Sequence, residues 1–169
     1  MAKIKEPQSD RFRLSPDARN LFTKLEKENK NFIKSNWDSY YILLMVGLAQ
    51  KRKRKLSTKK DESFVEATSD FVKPFDAEKE HIISLLLVRE MQELGISINE
   101  KNKDEVETRI SSFLDTNNSS NLTPESVDLM NQYANGGYEV LSQLFPEKPE
   151  DVNLFFVKFR ELVDEGFSS

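Results

Sequence analysis

The chain should fold as a mainly α protein, with one short N-terminal strand followed by a helical bundle of about six to seven helices. Three observations carry that expectation. Leu, Ile, Val and Phe supply 48 of the 169 residues, well above the roughly 20% below which chains tend to stay disordered, so a packed core is expected. From residue 16 onward the apolar residues recur mainly at the three- and four-residue spacing of a helix face. Period-two alternation, the mark of a half-buried strand, appears in "RFRL" at 11–14.

Each element has its own signals. In "RFRL", Arg11 and Arg13 fall on one face and Phe12 and Leu14 on the other. Ser15 then serves as N-cap, Pro16 as first helical residue, and Asp17 sits favourably near the positive end of the helix dipole. Ala18, Leu21, Phe22, Leu25, Phe32 and Ile33 keep helical spacing, which predicts one helix over about 16–33. After "KSNWD", with Ser35 or Asn36 as cap, the block from Trp37 to Ala49 is apolar nearly all round and reads as a central, buried helix. Ser63 and Glu66 have capping-box spacing for a short helix. Asp76 is placed to cap "AEKEHIISLLLVREMQEL", and Gly95 to close it. A weaker amphipathic helix follows through Val106, Ile110, Phe113 and Leu114, then a polar loop at 116–121. Thr123 and Pro124 start a helix that the Asn135-Gly136-Gly137 stretch should interrupt or end. "YEVLSQLF" comes next, and Pro149 opens a last helix bearing Phe155, Phe156 and Phe159.

Charge is distributed unevenly. The chain carries a net −4, yet residues 1–60 hold 16 Lys or Arg against 6 Asp or Glu, and residues 61–169 hold 9 against 23. That split suggests a basic, anion-binding unit at 1–62 and an acidic helical domain at 63–169 for partner docking, or one continuous domain. The absence of cysteine excludes disulfides, thiolate metal sites and thiol nucleophiles. No apolar signal segment opens the sequence, and the longest hydrophobic block is too short to span a bilayer, so a soluble, cytoplasmic protein without a membrane partner is expected.

The order of strand, capped helix, Ser/Asn-containing turn and buried second helix, from Arg11 to about Lys55, resembles a ribbon-helix-helix unit. The resemblance implies that two chains pair their strands, that Arg11 and Arg13 point at DNA, that Phe12 and Leu14 face a dimer core, and that Ser35 and Asn36 sit against a phosphate. More loosely, "RLS" with the helix and apolar second helix behind it resembles the DNA sulfur-modification protein E family of bacterial phosphorothioation systems. That resemblance implies DNA binding, on duplex or nicked duplex, beside a larger protein subunit of a modification or defence complex.

The run "KRKRKLSTKK", with Lys51, Arg52, Lys53, Arg54, Lys55, Lys59 and Lys60, adds to this expectation. Five phosphates neutralised there would make log affinity fall with log salt at a slope of about −4.5. The competing readings are a solvated loop and a partner for the chain's own acidic half. Trp37, Tyr40 and Tyr41 could stack on unpaired bases, but their place in an apolar block assigns them to the core. His81 stands alone, in the partly exposed first turn of its helix, and cannot build a multi-histidine metal site. The carboxylates Asp104, Glu105 and Glu107, and Glu90 with Glu93, read as solvated helix faces rather than a magnesium site, because no lysine motif or glycine-rich loop accompanies them. "NQYANGGYEV" reads as a helix break forming a docking notch, with Asn135, Gly136 and Gly137 meeting a partner. No nucleophile elbow or phosphate loop appears. The expectation is therefore a non-enzymatic, DNA-associated accessory protein, without metal or cofactor and oligomeric through its ribbon. The alternative is a protein-only adaptor that docks a larger ATPase or nuclease.

Overall fold

A computed structural model describes residues 11–56, 63–64 and 71–169 of the chain. Among them the order is β1 (Arg13–Leu14), α1 (Pro16–Asn20), α2 (Thr23–Glu28), α3 (Asn36–Ala49), β2 (Ser63–Phe64), α4 (Lys79–Glu93), a 3-10 turn at Glu100–Asn102, α5 (Lys103–Phe113), α6 (Pro124–Leu144) and α7 (Val152–Ser168). The protein is mainly α-helical with a short N-terminal strand. That strand pairs antiparallel with β2 of the same chain, Arg13 opposite Phe64 and Leu14 opposite Ser63. Ser63 thus begins a strand rather than the expected short helix. Glu66, Lys59 and Lys60 lie outside the described residues.

Two compact units are present, Met1–Phe12 with Thr68–Leu129, and Arg13–Ala67 with Met130–Ser169. The basic stretch therefore shares a unit with most of α6 and with α7, whereas charge alone draws a boundary at 62/63.

In the second of these units the N-terminal segment starts as its caps dictate. Ser15 Oγ accepts from the Ala18 amide at 3.2 Å, and Pro16 occupies the first turn. The single helix expected over 16–33 is two short ones, broken at Leu21-Phe22 and finished at Glu28. Ala18, Leu21, Phe22 and Leu25 are all buried, so one apolar periodicity runs through the break and conceals it. Phe32 lies beyond α2, in a loop, and packs edge-on against Phe22, Phe155 and Phe156. That aromatic cluster seats α7, whose N-cap is Asp151, accepting from the Leu154 amide at 2.8 Å; the Pro149 start expected from sequence lies just ahead of it.

Helix α3 is central, with Trp37, Tyr40, Leu43, Leu44, Val46 and Leu48 buried. Trp37 and Tyr40 meet edge to face at 5.2 Å inside the core, where no base could stack on them. Helix α6 crosses α3 at backbone contact. A Cβ on Gly47 would stand 1.9 Å from the Tyr133 carbonyl oxygen, and one on Gly137 would stand 1.9 Å from that of Leu43. The expected interruption at Asn135-Gly136-Gly137 does not occur, because α6 runs unbroken to Leu144. Its glycines serve close approach of two helices instead of a turn.

The other unit holds α4, α5 and the first turns of α6, around Ile82, Ile83, Leu86, Met91, Phe113, Leu122 and Val127. Phe12 packs edge-on against Phe71 at 5.2 Å, so its ring fills this chain's own core. Helix α4 begins at Lys79, with Glu78 and not Asp76 in the cap position. Among the described residues, Asp76 Oδ1 accepts from the next amide, that of Ala77. Gly95 closes α4 at φ +70°, with the Gly95 amide bonding Gln92 O at 3.1 Å and the Ile96 amide bonding Met91 O at 2.8 Å. These two bonds define a Schellman turn. His81 is exposed in the first turn of α4, while Glu90, expected on a solvated face, is buried. Among the described residues no helix is long and apolar enough to cross a membrane.

Candidate nucleic-acid interface

The basic run begins where α3 ends. Gln50 is the C-cap and Lys51 takes φ +53°. The Lys51 amide donates to Leu48 O at 3.4 Å and the Arg52 amide to Gly47 O at 2.9 Å. This is again a Schellman turn, but with lysine where glycine is usual. The chain then continues as a strap on α6. The Arg54 amide donates to Gln132 O at 2.9 Å, and Gly136 makes room, since a Cβ there would stand 2.0 Å from Arg52 O.

Side chains of the strap diverge. Lys51, Arg52, Arg54 and Lys55 are exposed and Lys53 is half-buried. Lys53 Nζ lies 5.1 Å from the centroid of the Tyr133 ring, and the Arg54 guanidinium lies 5.9 Å from that of Tyr138. Arg52 Nε donates to Glu139 Oε2 at 2.6 Å. That hydrogen bond, aided by the charges of Arg52 and Arg54, holds the Glu139 carboxyl below the usual carboxylate range, and it raises the Arg52 guanidinium in turn. Burial, with Asp17 nearby, raises the Tyr138 hydroxyl, against a smaller opposing effect of Arg54.

Strand β1 is fixed on the neighbouring face of α6. Asn131 Oδ1 accepts from the Arg13 amide at 2.9 Å and from the Tyr40 hydroxyl at 3.0 Å. Asn135 Oδ1 accepts from the Ser15 amide at 3.0 Å, and its Nδ2 donates to Arg13 O at 3.4 Å. Asn131 and Asn135 are four residues apart, one turn of one face, and Gln132 and Gly136, which receive the strap, are offset from them by one residue. Helix α6 thus carries both Arg13 and the strap. Arg13 is half-buried, and Arg11 is exposed. With β2 on one edge of β1 and two asparagines on the other, a ribbon formed with a second chain through Arg13 and Leu14 would first have to displace these partners.

Ser35 and Asn36 do not join this surface. They lie at the opposite end of α3, about 20 Å from Lys51 at 1.5 Å per residue. The anion position there is occupied by the chain itself. Asp38 Oδ2 accepts the amides of Lys34 at 2.8 Å and Ser35 at 2.7 Å, and Ser35 Oγ accepts from Asp38 N, completing a capping box. A phosphate would meet a carboxylate at that point. The expected partner notch is likewise filled from within. Asn135 is fully buried on β1, Gly136 touches the strap and Gly137 touches α3.

The residues that sequence reasoning missed are Gln132, Tyr138 and Glu139 on α6. Their signal was the i, i+4 repeat of amide and glycine in "NQYANGGYE", a pattern of attachment along one helix. Among the described residues no group of three or more His, Cys, Asp or Glu is placed to hold a metal ion. No protein-family model matches the chain, and no curated protein or solved structure matches it significantly.

Proposed function

We propose that the chain is a non-catalytic, DNA-associated accessory subunit of a bacterial DNA modification or phage-defence system, and that the strap Lys51–Lys55 binds phosphate. One observation carries the reading: the strap is anchored to α6 by its backbone and by Lys53, while Lys51, Arg54 and Lys55 are exposed. A cationic segment held in place by its backbone loses little freedom when phosphate binds, and phosphate contacts supply most sequence-independent affinity. The system itself is inferred from the resemblance of residues 11–55 alone.

Titration of duplex, nicked and single-stranded DNA at several salt concentrations tests the reading. Neutralising Lys51, Arg54 and Lys55 to glutamine keeps the backbone bond to Gln132 and the Lys53 contact with Tyr133. It is expected to weaken binding and to flatten the salt dependence by about 2.7, at about 0.9 per lost contact. Unchanged affinity and slope would refute it.

A second reading, a protein-only adaptor docking a larger ATPase or nuclease subunit, draws on α7. Leu154, Phe156 and Val157 there are exposed by 53%, 48% and 54%, a cluster of apolar side chains of the kind that marks protein contact. Replacing Leu154 and Val157 by serine should abolish capture of such a subunit and leave DNA binding unchanged.

A further inference from the structure

We propose that the groove at the C-terminal end of α4 docks an apolar, lysine- or arginine-bearing segment of a partner protein. The inference depends on neither reading above, since it uses none of their residues. The Schellman turn at Gly95 redirects the chain so that residues 94–98 stand off the helix end. Leu94 and Ile98 are exposed by 53% and 60%, and Val88, on the last turns of α4, by 40%. Two grooves share Ile96, one of about 580 Å³ between Leu94 and α5 from Asp104 to Ser112, the other of about 410 Å³ between Val88 and Ile98 over the buried Met91. Leu94 in the larger groove, and Val88 and Ile98 in the smaller, leave three large apolar side chains in water on either side of Ile96, with an unmet hydrophobic driving force.

Charge selects the occupant. Asp104 and Glu105 stand on the α5 wall of the larger groove with Thr108, Arg109 and Ser112, and the two carboxylates make no ion pair among the described residues. The nearest cations are already engaged: Lys103 pairs with Glu107 at 3.8 Å, and the Arg109 guanidinium lies over the Phe113 ring at 4.9 Å. Residues 71–129 as a whole hold 6 Lys or Arg against 12 Asp or Glu, so a cationic segment is favoured at long range and an anionic one repelled. An amphipathic segment with apolar anchors at helical spacing meets both requirements, its apolar face on Leu94, Ile96 and Ile98 and its cations on Asp104 and Glu105.

The test uses the full chain and a fluorescein-labelled peptide of Leu and Lys at helical spacing, about fourteen residues or four turns long, beside its Leu/Glu counterpart. Anisotropy should show saturable binding of the Lys peptide, about tenfold or more tighter than the Glu peptide. Leu94→Ser with Ile98→Ser should weaken it about tenfold, and Asp104→Asn with Glu105→Gln should reduce the discrimination between the peptides. All four positions are exposed, and thermal melts of the variants matching the parent confirm that the fold is retained. Leu154→Ser with Val157→Ser on α7 should change nothing. Equal affinity for both peptides, or binding undiminished by the Leu94/Ile98 pair, overturns the proposal. A dimer seen by light scattering that the Leu94/Ile98 pair dissociates also overturns it, by making a second copy the occupant.

Discussion

Asn135 Oδ1 accepts the amide hydrogen of Ser15 at 3.0 Å, across 120 residues of chain. Its Nδ2 donates to the carbonyls of Arg13 and Asn131. One buried side-chain amide thus does for β1 what a neighbouring strand would do, supplying an acceptor and a donor to its backbone.

Asn135→Ala removes both, and a buried backbone group deprived of its partner costs about 1–3 kcal/mol. Urea denaturation should show a loss of about 2–4 kcal/mol with the slope of the transition unchanged. A loss below about 1 kcal/mol would mean that β1 is held by other contacts.

Two glycine-to-alanine changes should separate steric from conformational need. Gly137→Ala forces a methyl group to 1.9 Å from Leu43 O, so the α3–α6 crossing must open and the protein should lose its cooperative thermal transition or most of its stability. Gly95→Ala meets no atom within 4 Å and bears only the left-handed backbone at φ +70°, about 1–2 kcal/mol. Equal effects of the two would contradict the crossing described here.

Lys51 offers the reverse experiment. It holds φ +53° at the end of α3, a conformation that glycine adopts without strain. Lys51→Gly should raise stability by about 1 kcal/mol and flatten the DNA salt slope by about 0.9, the value of one phosphate contact. Differential scanning calorimetry and DNA titration read the two effects separately.

Glu139 links stability to pH. Its carboxyl is lowered by Arg52 in the folded state, so the unfolded chain binds its proton more readily. The contribution of the pair is therefore present above the unfolded value of about 4.3 and is lost as pH falls through the lower folded value. Glu139→Gln should remove this acid-side loss from the stability profile. At neutral pH it should also release Arg52, raising DNA affinity and steepening the salt slope by about 0.9. A slope identical to the parent's would exclude Arg52 from the phosphate contacts.

The central helix could be read from the sequence because thirteen residues from Trp37 to Ala49 are apolar on almost every side, and only burial on every side suits such a segment. The Gly95 stop was equally plain, since glycine takes the left-handed turn without strain. The break at Leu21-Phe22 was hidden because Ala18, Leu21, Phe22 and Leu25 keep a helical period whether or not the axis bends. Adjacent glycines at 136 and 137 looked like a breaker because a lone sequence does not display the Leu43 and Arg52 carbonyls that press on them. The strap was visible as charge, but its attachment to Tyr133, Tyr138 and Glu139 depends on a pairing across some eighty residues that no local pattern encodes. Ser35 and Asn36 were grouped with the strap through the ribbon-helix-helix resemblance; a rigid helix separates them in space.

The unit containing α3 is assembled from Arg13–Ala67 and Met130–Ser169, which sets an order of events during synthesis. The ribosome must add the 62 residues of Thr68–Leu129 before Met130 appears, roughly 3–12 s at about 5–20 residues per second. Throughout that interval α3 lacks the cover that α6 and α7 supply, while the adjoining cationic run is already made. Nascent chains stalled in this window should therefore be bound by chaperones that recognise apolar stretches flanked by positive charge, and should let go once α6 and α7 have emerged.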